Sequence, residues 1–320
     1  MTPRWSNRRR DKQEQRVHEV ETQATFLLPG GYRAPDGELH REVELAPLSG
    51  REEERLAHCE PSTGGATLTM LLTSCVRRLG AVSPVSSDIV RRLLIADRHY
   101  LLLKLREATF GDRVQATVQC PWEECRKKVD IDFSLHDIPV RASEDKGPLY
   151  TRELSPAAAF SGERGEQYRE VTFRLPTSED QEVISHVVED NEAQALALLL
   201  ARCIRRLGPL HDPGPEVIHR LSPLARMEIE RHLEEAAPQV DLTLAAYCPE
   251  CEREFAVPFD LREFFLAECK TSCDLLYREV HYLAYHYHWS EQEIMTLPRE
   301  KRRKYIAVLA EELRRVSHAV

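Results

Sequence analysis

Two pairs of cysteines are the residues best suited to chemistry in this 320-residue chain. Cys120 and Cys125 enclose the residues Pro-Trp-Glu-Glu, and Cys248 and Cys251 enclose Pro-Glu. Cysteine thiolates are preferred ligands of structural zinc, which takes four ligands in a tetrahedron. Because each pair supplies two thiolates, we predict that the pairs meet and share one structural zinc ion per chain.

A β-hairpin is expected to carry each cysteine pair at its tip. Apolar side chains alternate with polar ones on both sides of each pair, and a period of two is typical of half-buried strands. They are Val114, Ala116, Val118, Val129, Ile131 and Phe133 around the first pair, and Leu242, Leu244, Ala246, Phe255, Val257 and Phe259 around the second. The alternative is that the two tips pack without metal. A redox role for the second pair needs a helix start nearby to lower a thiol pKa, and strands flank it instead.

The two hairpins belong to a longer internal repeat with an offset of 128 residues. The segment TSCVRRLG, which ends at Gly80, recurs as ARCIRRLG, which ends at Gly208. Further matching pairs are Val43 with Val171, Cys120 with Cys248 and, with two residues fewer, Cys125 with Cys251. Residues 43–135 therefore repeat approximately as 171–261. A period of this length describes two copies of one small domain rather than a solenoid.

The composition limits the class of protein. Hydrophobic residues make up 42% of the chain, enough for the cores of two or three domains. The net charge of −9 argues against a basic nucleic-acid binder. No apolar run reaches membrane-spanning length, and the N-terminus lacks a secretory signal, so we expect a cytoplasmic protein. In that compartment the nine cysteines are metal ligands or core residues before they are disulfides, and Cys75 and Cys203 are expected in the core.

The expected fold class is α+β, with an internally duplicated helical unit, a two-stranded zinc-knuckle ribbon in each copy and a C-terminal helical module. The predicted divisions are a disordered tail over 1–25, a first repeat with an N-terminal hairpin over 26–135, a connection over 136–170, a second repeat over 171–261 and a docking module over 262–320. Capping boxes are predicted at Ser49 with Glu52 and at Ser290 with Glu293. Continuous helices are predicted over about 66–80 and 87–110.

Aromatic and basic residues make the C-terminal module a candidate docking surface. We predict that Tyr285, Tyr287, Trp289, Arg302 and Arg303 bind a partner, since tyrosine, tryptophan and arginine carry much of the energy of interfaces. The interleaved histidines leave a metal site open as an alternative. The basic run 301–304 leaves nucleic-acid binding open, although a solvated helix face is the more common explanation of such a run.

Three stretches of sequence resemble a family of baseplate-associated proteins of T-even-type contractile phages and related contractile injection systems. They are the Gly-Arg-Glu-Glu helix start at Gly50, the leucine-rich helix that ends in Phe-Gly-Asp at Asp112, and the cysteine hairpin that ends in Asp-Phe-Ser-Leu at Leu135. The resemblance covers about residues 26–135 and extends more weakly through the second copy. The segment YLAYHYHWSEQEIMTLPREKRR is similar to a separate small family encoded with such particles.

The resemblance implies a structural or assembly protein of a base plate, with other base plate or tail proteins as partners. It implies neither a catalytic residue nor a small-molecule substrate, and the chain has no phosphate-binding loop, His-Glu-x-x-His or Gly-x-Ser-x-Gly motif. We therefore predict a protein that is not an enzyme and that is incorporated into a phage-tail-like particle. The alternative is a zinc-ribbon protein that binds nucleic acid or has a regulatory role.

Overall fold

A computed structural model describes residues 24–58, 64–144, 147–188 and 191–318, which form an α+β fold with several small antiparallel sheets. Most of the predicted N-terminal tail lies outside the described residues, and so does Cys59. The predicted end of the tail is corrected, because Ala24 and Thr25 already pair with the second strand of the first sheet.

The first unit combines a three-stranded sheet with four helices and a hairpin. Its elements are β1 (Ala24–Arg33), β2 (Leu39–Leu45), α1 (Gly50–Ala57), α2 (Gly64–Cys75), β3 (Val76–Leu79), α3 (Ser87–Arg92), α4 (Ile95–Phe110), β4 (Arg113–Gln119) and β5 (Lys128–Ser134). The sheet order is β1-β2-β3, and β4 pairs only with β5 among the described strands. Apolar side chains of the sheet and helices, including Leu72 and Leu101, are fully buried in one core.

The second unit follows a connection with short strands. The connection contains β6 (Val140–Arg141), β7 (Tyr150–Glu153), β8 (Phe160–Ser161) and β9 (Gln167–Tyr168). The second unit contains β10 (Glu170–Phe173), α5 (Ser178–Val188), α6 (Glu192–Cys203), β11 (Ile204–Leu207), β12 (Leu210–His211), α7 (Pro215–His219), α8 (Pro223–Ala236), β13 (Gln239–Val240), β14 (Thr243–Cys248) and β15 (Arg253–Pro258). The sheet order is β12-β11-β10-β7, and a second core lies between this sheet and its helices.

The two sheets have the same register at positions 128 residues apart. The corresponding pairs are Val43 with Leu79 and Val171 with Leu207. Both ladders shift register before their third pair. Gly80 and Gly208 follow these strands with the same φ of 56°, and their N–H groups donate to Glu42 and Glu170 at 2.7 and 2.8 Å.

The predicted helix over 66–80 is wrong in its second half. Helix α2 ends at Cys75, and Val76–Leu79 form β3; α6 and β11 repeat this change at Cys203. The sheet provides the reason, because β2 offers an edge on which the chain pairs its backbone groups. Gly80 follows β3 with a positive φ, and a side chain at this position would collide with the His40 ring. The glycine therefore serves the turn after a strand and does not end a helix.

The predicted helix over 87–110 is interrupted. Leu93 and Leu94 are extended, with ψ values of 145° and 152°, and they separate α3 from α4. The Leu93 carbonyl accepts a hydrogen bond of 2.9 Å from the N–H of Ser178, at the start of α5. This long-range contact outweighs the helical preference of the leucine run.

Three helices close the chain: α9 (Leu261–Tyr287), α10 (Glu291–Met295) and α11 (Arg299–His318). The first half of α9 belongs to the core of the first unit, since Phe265 is fully buried and stacks edge-on against Phe110. Helices α9 and α10 both pack on α1. The C-terminal helices therefore pack on the first unit. Within the described residues, no helix combines the length and apolar character of a membrane span.

Candidate metal centre

The two hairpins pack face to face and present their cysteines to each other. In each hairpin the alternating apolar residues line the inner face, as the sequence predicts. Val129, Ala246 and Phe255 form a small buried cluster with Cys120 and Cys248. This cluster fixes the two ribbons immediately below their tips.

Both hairpin tips have the same backbone geometry after their second cysteine. Arg126 follows Cys125 with a φ of 49°, and Glu252 follows Cys251 with a φ of 56°. These left-handed residues turn the chain back into the second strand. In the first tip the backbone N–H of Lys127 points at the Cys125 sulfur. In the second tip the backbone N–H of Arg253 points at the Cys251 sulfur.

The four cysteine sulfurs lie within 4.8 Å of one another. Cys120 Sγ lies 3.7 Å from Cys251 Sγ, and Cys125 Sγ lies 3.7 Å from Cys248 Sγ. A tetrahedral site with metal–sulfur bonds of about 2.3 Å has sulfur–sulfur edges of about 3.8 Å, whereas a disulfide bond is about 2.0 Å long. The donor set and its spacing therefore fit a metal ion and do not fit a disulfide.

The surroundings leave the centre buried on one side and accessible on the other. Cys120 and Cys248 are fully buried, while Cys125 and Cys251 are half-buried. The Arg253 guanidinium lies 5.1 Å from the centre of the Trp122 ring and 3.5 Å from Glu124, so the two tips also meet outside the cysteines. In the described part of the chain no second group of Cys, His, Asp and Glu converges in this way, including the C-terminal histidines.

The thiols differ in acidity. Burial raises the pKa of Cys248, but the N–H groups of Cys251 and Glu250 oppose it and the resulting pKa is about 7. Burial raises the pKa of Cys251 to about 12, and the neighbouring thiols add to this rise. Several thiolates at such short distances repel one another, and a divalent cation removes that cost.

Three of the four remaining described cysteines pack as small apolar residues, and the fourth, Cys273, is half-buried. Cys75, Cys203 and Cys269 are buried, as predicted for the first two. Burial raises the pKa of Cys203 to about 12 and raises the pKa of the other two thiols as well. These thiols are poor nucleophiles and poor ligands in that environment.

The predicted docking residues of the C-terminal module occupy different environments. Tyr285 is 70% exposed. Tyr287 and Trp289 stack on each other with ring centroids 5.0 Å apart, and both contact Tyr305 edge-on. Arg303 is exposed and lies 3.5 Å from a carboxylate oxygen of Glu279. The aromatic pair therefore supports the module itself and leaves only part of its surface free.

The prediction that Arg302 binds a partner is wrong, because its side chain is fully buried. Its Nη2 lies 2.6 Å from Glu53 Oε1, and its Nε lies 3.0 Å from Glu279 Oε2. Arg299 adds a contact of 3.1 Å to Glu53. We call Glu53, Glu279, Arg299 and Arg302 the buried charge cluster. Its arginines bind carboxylates within the chain, and it fastens α11 to α1 and α9.

Sequence reasoning missed the acidic half of the buried charge cluster. Glu53 lies in a run of three glutamates and Arg302 in the run Lys-Arg-Arg-Lys, and both runs resemble solvated surface. The spacing of Arg299 and Arg302, one turn apart at the start of α11, was the available signal.

The fold and the site together define an α+β protein with a four-cysteine centre between two hairpins. The family model described as T4 bacteriophage base plate protein matches residues 28–266. Because this match covers more than half of the chain, the chain belongs to that family. A second model, described as a family of unknown function (DUF6760), matches residues 270–319. The resemblance to a base plate family fused to a small separate family is thus confirmed.

No curated protein and no solved structure is similar enough to the chain to count as a match.

Proposed function

We propose that the chain is a structural or assembly component of the base plate of a contractile phage tail or contractile injection system. The observation that carries this proposal is the base plate family match over residues 28–266. The proposed role is non-catalytic, its partners are other base plate or tail proteins, and the chain is made in the cytoplasm before it enters the particle. The buried charge cluster supports such a role, because it fixes the C-terminal helices rigidly on the first unit.

A structural zinc ion is proposed at Cys120, Cys125, Cys248 and Cys251. Four sulfur donors at tetrahedral spacing are typical of zinc, with iron as the other common occupant. Two cysteine ligands from each hairpin would hold the ion. The ion would therefore join two segments more than a hundred residues apart in the sequence. The binding energy of a structural zinc contributes directly to folding. In this arrangement metal binding stabilises the contact between the units.

We also propose that residues 43–135 and 171–261 are two copies of one ancestral unit. Three features support it: the equal register of the two sheets, the glycines at identical φ, and the helix order at a constant offset. The helices meet head to tail, since α5 packs on α2, α3 and α4 whereas α1 packs on α9 and α10. A two-fold relation is therefore proposed only for the pair of hairpins.

The free part of the C-terminal module is proposed as a surface for a neighbouring protein of the particle. Tyr285 is the most exposed aromatic residue named above, and Arg303 lies on α11. Tyr287 and Trp289 stiffen this surface through their contacts with Tyr305.

Deletion of the gene tests the base plate role. We expect particles without the chain to lack an assembled base plate, and complementation with the wild-type chain to restore it. Electron microscopy and mass spectrometry of purified particles measure both. Normal base plates in the deletion strain would contradict the proposal.

A further inference from the structure

Three pairs of helices in the described part of the chain share one arrangement, a short helix followed by a long one. They are α3 with α4, α7 with α8, and α10 with α11. The fourth residue of each short helix is apolar and fully buried: Val90, Ile218 and Ile294. The fourth residue of each long helix is arginine: Arg98, Arg226 and Arg302. We call each pair a socket, because two of the three hold the start of another helix.

The first socket, α3 with α4, holds the start of α5. Thr177 forms a backbone bridge with Leu94, and the N–H of Ser178 donates to the Leu93 carbonyl. Arg98 Nη1 lies 3.3 Å from Glu182 Oε1, one turn further along α5. The socket therefore recognises a capped helix start together with a carboxylate in its second turn.

The third socket, α10 with α11, holds the start of α1 in the same way. Ser49 forms a backbone bridge with Pro298, at the position that Leu94 occupies in the first socket. Arg302 lies 2.6 Å from Glu53, which follows its helix cap by four residues, whereas Glu182 follows its cap by five. Both helices that enter a socket carry a hydroxyl residue at the cap and an acidic side chain three residues later, Glu52 or Asp180.

The second socket, α7 with α8, holds no helix start among the described residues. Arg226 Nη2 donates to the His219 carbonyl at 2.9 Å, but no described carboxylate forms an ion pair with this arginine. The Nε of Arg226 and that of Arg98 in the filled first socket are both buried without a hydrogen-bond partner, so the missing carboxylate is what distinguishes the two sockets. Leu224 and Met227 beside Arg226 are 40% and 64% exposed. Among the described residues, the arginine of this socket thus has no carboxylate partner, and the apolar side chains beside it are exposed to solvent.

We propose that the α7/α8 socket receives the start of a helix from another base plate protein, with a hydroxyl cap and an acidic residue four or five residues after the cap. The inference rests on the proposed function for the source of that helix. The two filled sockets of the same chain define its chemistry, and Arg226 supplies the complementary charge. A second copy of this chain is not the source, because α1 and α5 already occupy sockets. Such a contact would continue the head-to-tail order of the units.

A labelled peptide of residues 175–188 is the probe, since it reproduces the helix start that fills the first socket. Fluorescence anisotropy with the full-length chain should show saturable binding. Arg226→Ala should weaken it at least tenfold, the usual scale for loss of a charge-assisted hydrogen bond. A peptide with Glu182→Gln should lose a similar factor. Arg231→Ala, an exposed arginine on the same helix, is the matched control and should bind as the wild type does.

Absence of saturable binding, or equal binding by the Arg226→Ala variant, would overturn the inference. If the peptide instead displaced α5 from the first socket, its binding would be saturable but would not depend on Arg226. The gene deletion distinguishes the two failures. A chain that is needed for the base plate but does not bind the peptide contradicts only the socket; a chain that binds the peptide but is not needed contradicts only the base plate role.

Discussion

Replacement of Arg302 by methionine is the sharpest test of how the C-terminal helices are attached. The side chain is fully buried and makes hydrogen bonds of 2.6, 3.0 and 2.7 Å to Glu53, Glu279 and the Leu297 carbonyl. Its removal leaves Glu53 with Arg299 but leaves Glu279 with one longer, exposed contact.

The expected cost follows from the burial of the carboxylates that remain. Removal of one partner from a buried ion pair costs about 3–5 kcal/mol, mainly because the other charge stays buried. We expect Arg302→Met to lower the free energy of unfolding by that amount. The adjacent Arg303→Met removes a side chain that is 54% exposed, and its cost should stay below about 1 kcal/mol.

Urea unfolding followed by tryptophan fluorescence measures both variants, and Trp289 reports directly on the C-terminal helices. The double variant Arg302→Met with Glu279→Gln removes a buried charge of each sign. It should be more stable than the sum of the two single changes predicts, with a coupling of about 1 kcal/mol or more. Equal costs for Arg302→Met and Arg303→Met, or strict additivity in the cycle, would refute this view of the cluster.

Three further predictions concern other parts of the chain. Burial raises the pKa of Asp97 to about 6, above its unfolded value, so the contribution of this carboxyl to the free energy of unfolding should fall as pH rises from about 4 to about 6, and Asp97→Asn should remove that contribution in denaturation measured against pH. Gly208→Ala should cost about 1–3 kcal/mol because φ is 56° and a side chain would meet a tyrosine ring at 2.6 Å, whereas Gly214→Ala, in open space at the N-cap of α7, should cost about 0.5–1 kcal/mol by thermal unfolding. Tyr285→Ala should reduce incorporation into particles several-fold without a change in unfolding, while Tyr247→Ala, 53% exposed on a hairpin, should leave incorporation unchanged; equal amounts of both variants in purified particles would contradict the docking surface.

The cysteine hairpins could be predicted from sequence because their signal is local. Alternation of apolar residues marks the strands, and two close cysteines mark each tip. The convergence of the two pairs followed from the number of ligands that zinc requires, combined with the repeat. Capping boxes at Ser49 and Ser290 were equally local and are confirmed.

Contacts distant in sequence were out of reach. The break at Leu93 and Leu94 interrupts a leucine-rich run without glycine or proline, and its cause is a hydrogen bond from Ser178. The burial of Arg302 depends on Glu53, far away in the chain, while its immediate neighbours Lys301 and Arg303 are basic and half-buried or exposed. In both cases tertiary pairing decides the outcome, and a single sequence carries no direct signal of such pairing.

The metal content of the purified full-length chain tests the central claim, that the two hairpins share one metal ion. Elemental analysis should find one zinc per chain in the wild type and in Cys203→Ser, which alters a buried thiol remote from the centre in sequence and outside its cluster. Cys248→Ser should lower the zinc content markedly and destabilise the contact between the hairpins. A folded wild-type chain without zinc, or wild-type zinc content in Cys248→Ser, would contradict the account.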